Sequence, residues 1–453
     1  MNEHTINPII QRLFRLQLLL LLAFFSVFLA LIYWGAIRGA TIVGREDNPR
    51  LVEDQLRIDR GQILDRNRTV LAYSVADENG RFQRIYPQEN IGAAVGYYNF
   101  RHGTAGAEAA YDDLLSGDDH SATPLWRQEL LNEPQKGFDI QLSLDFQLQR
   151  ASADLLQGFS GALLIFDNHS GEILSLVSLP GYEPNNLEQN FDALVADPTA
   201  PLLNRPLQGE FQPGRVLQPF IIAHALDQNL IAMDEPIQNI GLSLPIDGQV
   251  EDCVSSPEEP GDWESVLIDR CPYPLFILAD KLGADGIQRF YDRFGFTNRT
   301  ALLETVEERI EQPVNSAGLA AIGQDIMTVT PLQIALAWSA LLNEGEFITP
   351  LLVTAVQDEY GNWQEVTPIG DFGDATTAFS ARSVLTVLQD NDSYLFSTPV
   401  LSGPEGETNT WILGAYPLSD PTHFFVLVLE NVSDMEAADQ ISRELFNLIQ
   451  ELD

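Results

Sequence analysis

The hydrophobic positions of this chain change pattern several times along its length, and each pattern predicts a different element. Leu16 to Ile37 is one apolar run, interrupted only by Gln17 and Ser26. Its length suits a helix that spans a bilayer, and Tyr33 and Trp34 stand near one end, where aromatic residues favour the interface. Apolar Ile58, Ile63 and Leu64 around Gly61 predict a strand and hairpin. Residues 118–136 are polar and irregular, the composition of a linker. Leu148, Ala151 and Leu155 then recur at helical spacing. Gly161 to Leu179 holds two β-rich runs around Asn168-His169-Ser170-Gly171, a hairpin signature, with a loop over 180–185. Thr330 followed by Pro331 marks a helix start, continued by Leu332, Ala335, Leu336 and Ser339. Two strand-like runs lie between Trp411 and Asn431. Ile441, Leu445 and Leu448 predict an amphipathic terminal helix from Ala437 to Ile449.

Charges around the first run set its orientation only weakly, because Arg12 and Arg15 precede it while Arg38 and Arg45 follow. A cleaved signal peptide would have a shorter apolar core and a small-residue cleavage site after it. The pattern therefore predicts an uncleaved, single-pass anchor in the cytoplasmic membrane. Residues 1–15 are expected in the cytoplasm, 16–37 in the membrane, and the bulk of the chain outside the cell.

Composition narrows the function classes. At 453 residues the chain can hold a large core and more than one domain. A formal net charge of −40 argues against a nucleic-acid partner, which needs cationic surface. Lys136 and Lys281 are the only lysines. The six histidines (His4, His102, His120, His169, His224 and His423) show no catalytic spacing, and no metal-ligand pair of the His-x-x-x-His or Cys-x-x-Cys kind occurs. No cofactor is expected. Cys253 and Cys271, 18 positions apart, can close one loop outside the cell or remain two thiols.

Several blocks resemble class B penicillin-binding proteins. Arg60-Gly61-Gln62-Ile63-Leu64-Asp65-Arg66-Asn67 is similar to that family's Arg-Gly-x-Ile-x-Asp-Arg-Asn opening. Gly96 to Asn99, Gly103-Thr104-Ala105-Gly106-Ala107-Glu108 and Tyr111 to Gly117 also match, as do Gln141 to Gln149, Ala321-Ile322-Gly323-Gln324 and Val329 to Ala335. The resemblance covers roughly residues 56–449. It implies an α+β fold: a serine transpeptidase/β-lactamase-like domain over 137–453, with an antiparallel sheet flanked by helices. A small mixed α/β pedestal over 38–136 and one transmembrane helix would precede it.

The family's three catalytic motifs fare differently from the frame around them. Asn204 to Gly214 resembles the approach to the nucleophile, but where the family carries Ser-x-x-Lys this chain reads Arg215-Val216-Leu217-Gln218. The serine attacks the acyl donor and the lysine is a candidate to take its proton; arginine can do neither, because it keeps its proton. Counting back from Leu278 to Gly283, the Ser-x-Asn position falls on Arg270-Cys271-Pro272. The Lys-Thr-Gly position, on a strand lining the cleft, falls on Pro404-Glu405-Gly406, with Trp411 and Gly414 beyond it. Neither lysine belongs to a Ser-x-x-Lys or Lys-Thr-Gly sequence. Ser402 and Ser316 are the nearest alternative nucleophiles. If the first and third motif positions face each other, Arg215 and Glu405 are expected within salt-bridge range, plugging the old site.

The resemblance thus implies a penicillin-binding-protein homologue in peptidoglycan biogenesis that has lost D,D-transpeptidase activity. Its expected role is scaffold or regulator among cell-envelope, division or elongation proteins, with a peptidoglycan peptide as an implied ligand. Two alternatives stand beside it. One is an active transpeptidase that binds penicillin through an unrecognised nucleophile. The other is a noncovalent module whose Arg215 and Arg270 bind a carboxylate-bearing ligand.

Overall fold

The computed structural model describes residues 8–34, 55–117, 135–246, 248–299, 302–303, 308–309, 313–367, 373–403 and 406–452. The chain separates into two compact units, residues 1–58 with 76–83, and residues 59–75 with 84–453. The first unit carries α1 (Pro8–Ile32), whose side chains are exposed from Arg12 onward. Its stretch Arg12–Ile32 is long and apolar enough to cross a membrane. The helix is already formed at Pro8, ahead of the expected start at Leu16. Arg12 and Arg15 are good helix formers, so the end of the apolar run is not the end of the helix. Residues 35–37 of the expected span lie outside the described residues.

In the second unit, six antiparallel strands build the main sheet: β1 (Gly161–Asp167), β2 (Ile173–Leu179), β3 (Gln389–Asp390), β4 (Ser393–Leu401), β5 (Thr408–Tyr416) and β6 (His423–Leu429). Their order across the sheet is β3-β4-β5-β6-β1-β2, so the first hairpin docks beside the last strand. Successive side chains of a strand point to opposite faces. Leu163 and Ile165 therefore join one cluster with Ile441 and Leu445 of the helix Met435–Gln450, while Leu164 and Phe166 join another with Trp338 and Phe220. Burial on both faces explains why these strands read as apolar runs without alternation. This is the helix-flanked antiparallel α+β architecture the sequence implies.

The remaining helices fix that sheet and the site. They are α2 (Phe146–Leu155), α3 (Gln218–Asp227), α4 (Trp263–Asp269), α5 (Pro272–Arg293), α6 (Pro331–Leu342) and α7 (Met435–Gln450). Thr330 caps α6 as expected, and Gln333 reaches back to complete a capping box. All of α6 is buried, as befits a helix that is apolar all round.

A second sheet crosses the expected domain boundary at 136/137. Its neighbouring strands are Trp363–Glu365, Val353–Gln357, Ile140–Leu142, Ile63–Leu64 and Val70–Ala76. Ile63 and Leu64 pair in parallel with Ile140 and Gln141, so this sheet joins strands from both sides of that boundary. Nearby, Glu108 is fully buried and takes Arg60 at 3.0 Å and Arg84 at 2.6 Å. That contact ties the Arg60 block to the Glu108 block, two of the stretches that carry the family resemblance.

Candidate functional site

Arg215 sits in the 3-10 turn Gly214–Leu217 that runs directly into α3. The turn is held against the Ala321–Gln324 stretch by glycine. Gly214 N–H donates to Gly323 O at 3.0 Å, and a Cβ on Gly323 would lie 2.5 Å from Gly214 N. Gly323 also has a φ of +67°, a conformation that favours glycine.

The Arg215 side chain is buried, with 8% exposure. Its Nη1 donates to Asp252 O at 2.7 Å and its Nη2 to Pro399 O at 2.9 Å. Nη2 also lies 3.3 Å from Glu251 Oε2. That last contact is an ion pair without hydrogen-bond alignment, since Glu251 Oε2 and Arg215 Nε have no hydrogen-bond partner. Glu251 is held in turn by Gln324, whose Nε2 donates to Glu251 Oε1 at 3.3 Å and to Leu401 O at 3.2 Å. Burial pulls the Arg215 pKa down and pushes that of Glu251 up, and in each case the partner's charge opposes the shift. Arginine holds its proton more strongly than any other side chain, so the guanidinium remains the charged member at neutral pH.

The carboxylate opposite Arg215 is therefore Glu251, on the short hairpin Leu244–Ile246/Gln249–Glu251. The expected partner Glu405, with Pro404, lies outside the described residues. Gly406 lies beyond β4, in the connection to β5. The part of that strand that meets the arginines lies further back. Arg270 Nε donates to Ser397 O at 2.9 Å, as Arg215 does to Pro399 O. The reason is the sheet edge: β3 pairs with Ser393 and Tyr394, Leu395 N–H donates to Leu388 O at 3.0 Å, and beyond Leu395 no described strand pairs with β4 on that side. An edge strand tolerates a proline and presents unpaired carbonyls. The two guanidiniums take them.

Arg270 ends α4 in the left-handed conformation, with its guanidinium 5.5 Å from the Phe396 ring centre. Its Nη1 donates to Ile268 O at 2.6 Å, and burial lowers its pKa. Pro272 opens α5 behind the cap residue Cys271. Gln218 is fully buried, and its Nε2 donates to Cys271 O at 3.2 Å. Cys253 and Cys271 form a disulfide, which joins the segment after Glu251 to the start of α5. The structure thus gathers Arg215, Gln218, Arg270 and Cys271 in one place, with Glu251, Ser397 and Pro399 as neighbours the sequence reading missed. Trp411 is buried behind them, its Nε1 donating to Gln212 O at 3.3 Å. Of the alternative nucleophiles, Ser316 caps the helix Ala317–Ala321, and Ser402 N–H donates to Glu407 O. Among the described residues no group of three or more His, Cys, Asp or Glu is suited to a metal ion.

Two family models match this chain. That of the penicillin binding protein transpeptidase domain covers residues 161–392, just over half of it, and that of the penicillin binding protein A dimerisation domain covers 60–140. The chain belongs to the penicillin-binding protein transpeptidase family. Among relatives of this penicillin-binding protein, the peptidoglycan D,D-transpeptidase PbpA of Mycobacterium tuberculosis is 28% identical over 337 residues, 68% of each chain. The peptidoglycan D,D-transpeptidase MrdA of Escherichia coli K12 is 27% identical over 310 residues, 59% of this chain and 48% of that one. The MrdA of Acinetobacter baumannii is 28% identical over 291 residues, of which this chain spans 42% of the relative's length. The crystal structure of PBPA from M. tuberculosis superposes with a TM-score of 0.76 at 24% identity, covering 87% of this chain and all of that one. Its imipenem acyl-enzyme complex matches with the same TM-score. These likenesses establish family and fold.

Proposed function

We propose that this penicillin-binding protein serves cell-wall (peptidoglycan) biogenesis without forming an acyl-enzyme of its own. It would act outside the cytoplasmic membrane, anchored through α1, as a scaffold or regulator for envelope, division or elongation proteins. Its relatives' names as peptidoglycan D,D-transpeptidases support the cell-wall setting. The observation that carries the loss of chemistry is Arg215. At the position of the nucleophile stands a buried cation, held by Glu251 and two backbone carbonyls. We place the family's third motif at Ser397-Thr398-Pro399, the stretch of β4 beside Arg215 and Arg270, in preference to Pro404-Glu405-Gly406. There threonine is kept and lysine is lost.

The same contacts weigh against peptide binding. An extended peptide adds to an exposed strand edge through main-chain hydrogen bonds. Here Arg215 and Arg270 already occupy the carbonyls of Pro399 and Ser397. A carboxylate ligand would also compete with these internal bonds, which places the noncovalent-binder reading lower. The rival reading, an active D,D-transpeptidase, is favoured by the relatives' names and needs a nucleophile other than residue 215. Turnover of a peptidoglycan stem peptide with a D,D terminus separates the two. The full chain in detergent is expected to release no terminal D-amino acid, and release above the rate without protein would overturn the proposal.

A further inference from the structure

Away from Arg215, a cavity of about 210 Å³ opens between the short helix Gly92–Val95, the end of β2 and the short helix Arg205–Gln208. Ala153, Val177, Leu179, Pro201 and Leu207 supply the apolar part of its walls. The polar groups around it are unevenly engaged. Ser178 Oγ donates to Leu203 O at 2.8 Å, and Tyr182 Oη donates to Gly92 O at 3.1 Å. Asn204 Nδ2 donates to Ala93 O at 2.8 Å, which fixes the orientation of that amide. Its other end, Asn204 Oδ1, is buried with no hydrogen-bond partner. Glu183 lines the same cavity. Burial raises the Glu183 pKa, the charge of Glu89 adds to the rise, and the Asn90 N–H opposes it.

An apolar concavity with a few convergent polar groups is the general form of a small-molecule site. Here the lining includes the Glu183 carboxylate, so the complementary ligand carries a positive charge. We propose that this cavity binds a small amphiphile with a compact apolar body and a protonated amine, the amine taken by Glu183. The proposal is independent of whether Arg215 has silenced the family's chemistry.

Isothermal titration of the full chain in detergent with benzylamine, benzyl alcohol and benzoate tests it. Benzylamine is expected to bind saturably, with the neutral and anionic analogues at least about tenfold weaker. Glu183→Gln is expected to weaken benzylamine by about tenfold with an unchanged melting temperature. Ala93→Leu, which adds volume beside the cavity without touching the charge, is expected to weaken all three compounds. Unchanged benzylamine affinity in Glu183→Gln would overturn the proposal. So would equal binding of the alcohol, or no saturable binding of the amine up to about 10 mM, beyond which affinity is negligible.

Discussion

Removing the Glu251 carboxylate should destabilise the protein more than removing Glu251 and Arg215 together. Glu251 is 3% exposed and Arg215 8%, so Glu251→Ala leaves a buried guanidinium without its counter-charge. Breaking a buried pair from one side costs about 3–5 kcal/mol. Two features lower that figure here. Arg215 keeps its bonds to Asp252 O and Pro399 O, and its 3.3 Å contact with Glu251 is not aligned as a hydrogen bond. We therefore expect about 2–3 kcal/mol for Glu251→Ala, against about 1 kcal/mol or less for Arg215→Met with Glu251→Leu, where the desolvation cost leaves with the pair. At about 2 °C per kcal/mol for a unit this large, the single variant should melt about 4–6 °C below the parent and the double within about 2 °C. Calorimetry of the full chain in detergent reads both. The reasoning is refuted if Glu251→Ala melts with the parent, or if the double variant falls by the sum of its singles.

Three further outcomes follow from named contacts. His224 is buried with neither ring nitrogen partnered, and burial, then the Arg293 charge, lowers its pKa from 6.5 to about 4. The unfolded chain takes up a proton in that window and the folded chain does not. Stability is therefore full above the unfolded value and falls by about 3 kcal/mol as pH drops to the folded one; His224→Phe should flatten the melting-temperature slope over that range. The Cys253–Cys271 bond closes a loop of 18 positions, worth about 3 kcal/mol by chain entropy, so the Cys253→Ser, Cys271→Ser pair should need correspondingly less urea to unfold. Gly323→Ala places a Cβ against Gly214 backbone at a positive φ and should cost about 2 kcal/mol or more in the same titration.

The frame was legible in the sequence where local signals and tertiary burial agree. The Gly161–Leu179 hairpin announced itself by two apolar runs around a glycine turn, and α6 by its Thr330-Pro331 start. Arg215 was legible too, because the approach from Asn204 fixes its place in the turn. Glu251 was not: it is one of 65 acidic residues, and only the folded hairpin brings it to Arg215. Strand β4 was hidden for a related reason. Pro399 breaks a strand pattern, yet an edge strand accepts it, so the stretch that carries Ser397 and Pro399 left no clean strand signal. The pairing of Ile63 with Ile140 across 136/137 was not legible, because it is long-range and leaves no local mark.

Intact-mass spectrometry of the full chain after incubation with a penicillin tests the central claim most directly. With a buried Arg215 at the position proposed for the nucleophile, the protein, shown to be folded by its melting transition, should keep its unmodified mass. A stable adduct of one penicillin per chain would contradict the account, and peptide mapping would then name the residue that carries the acyl group.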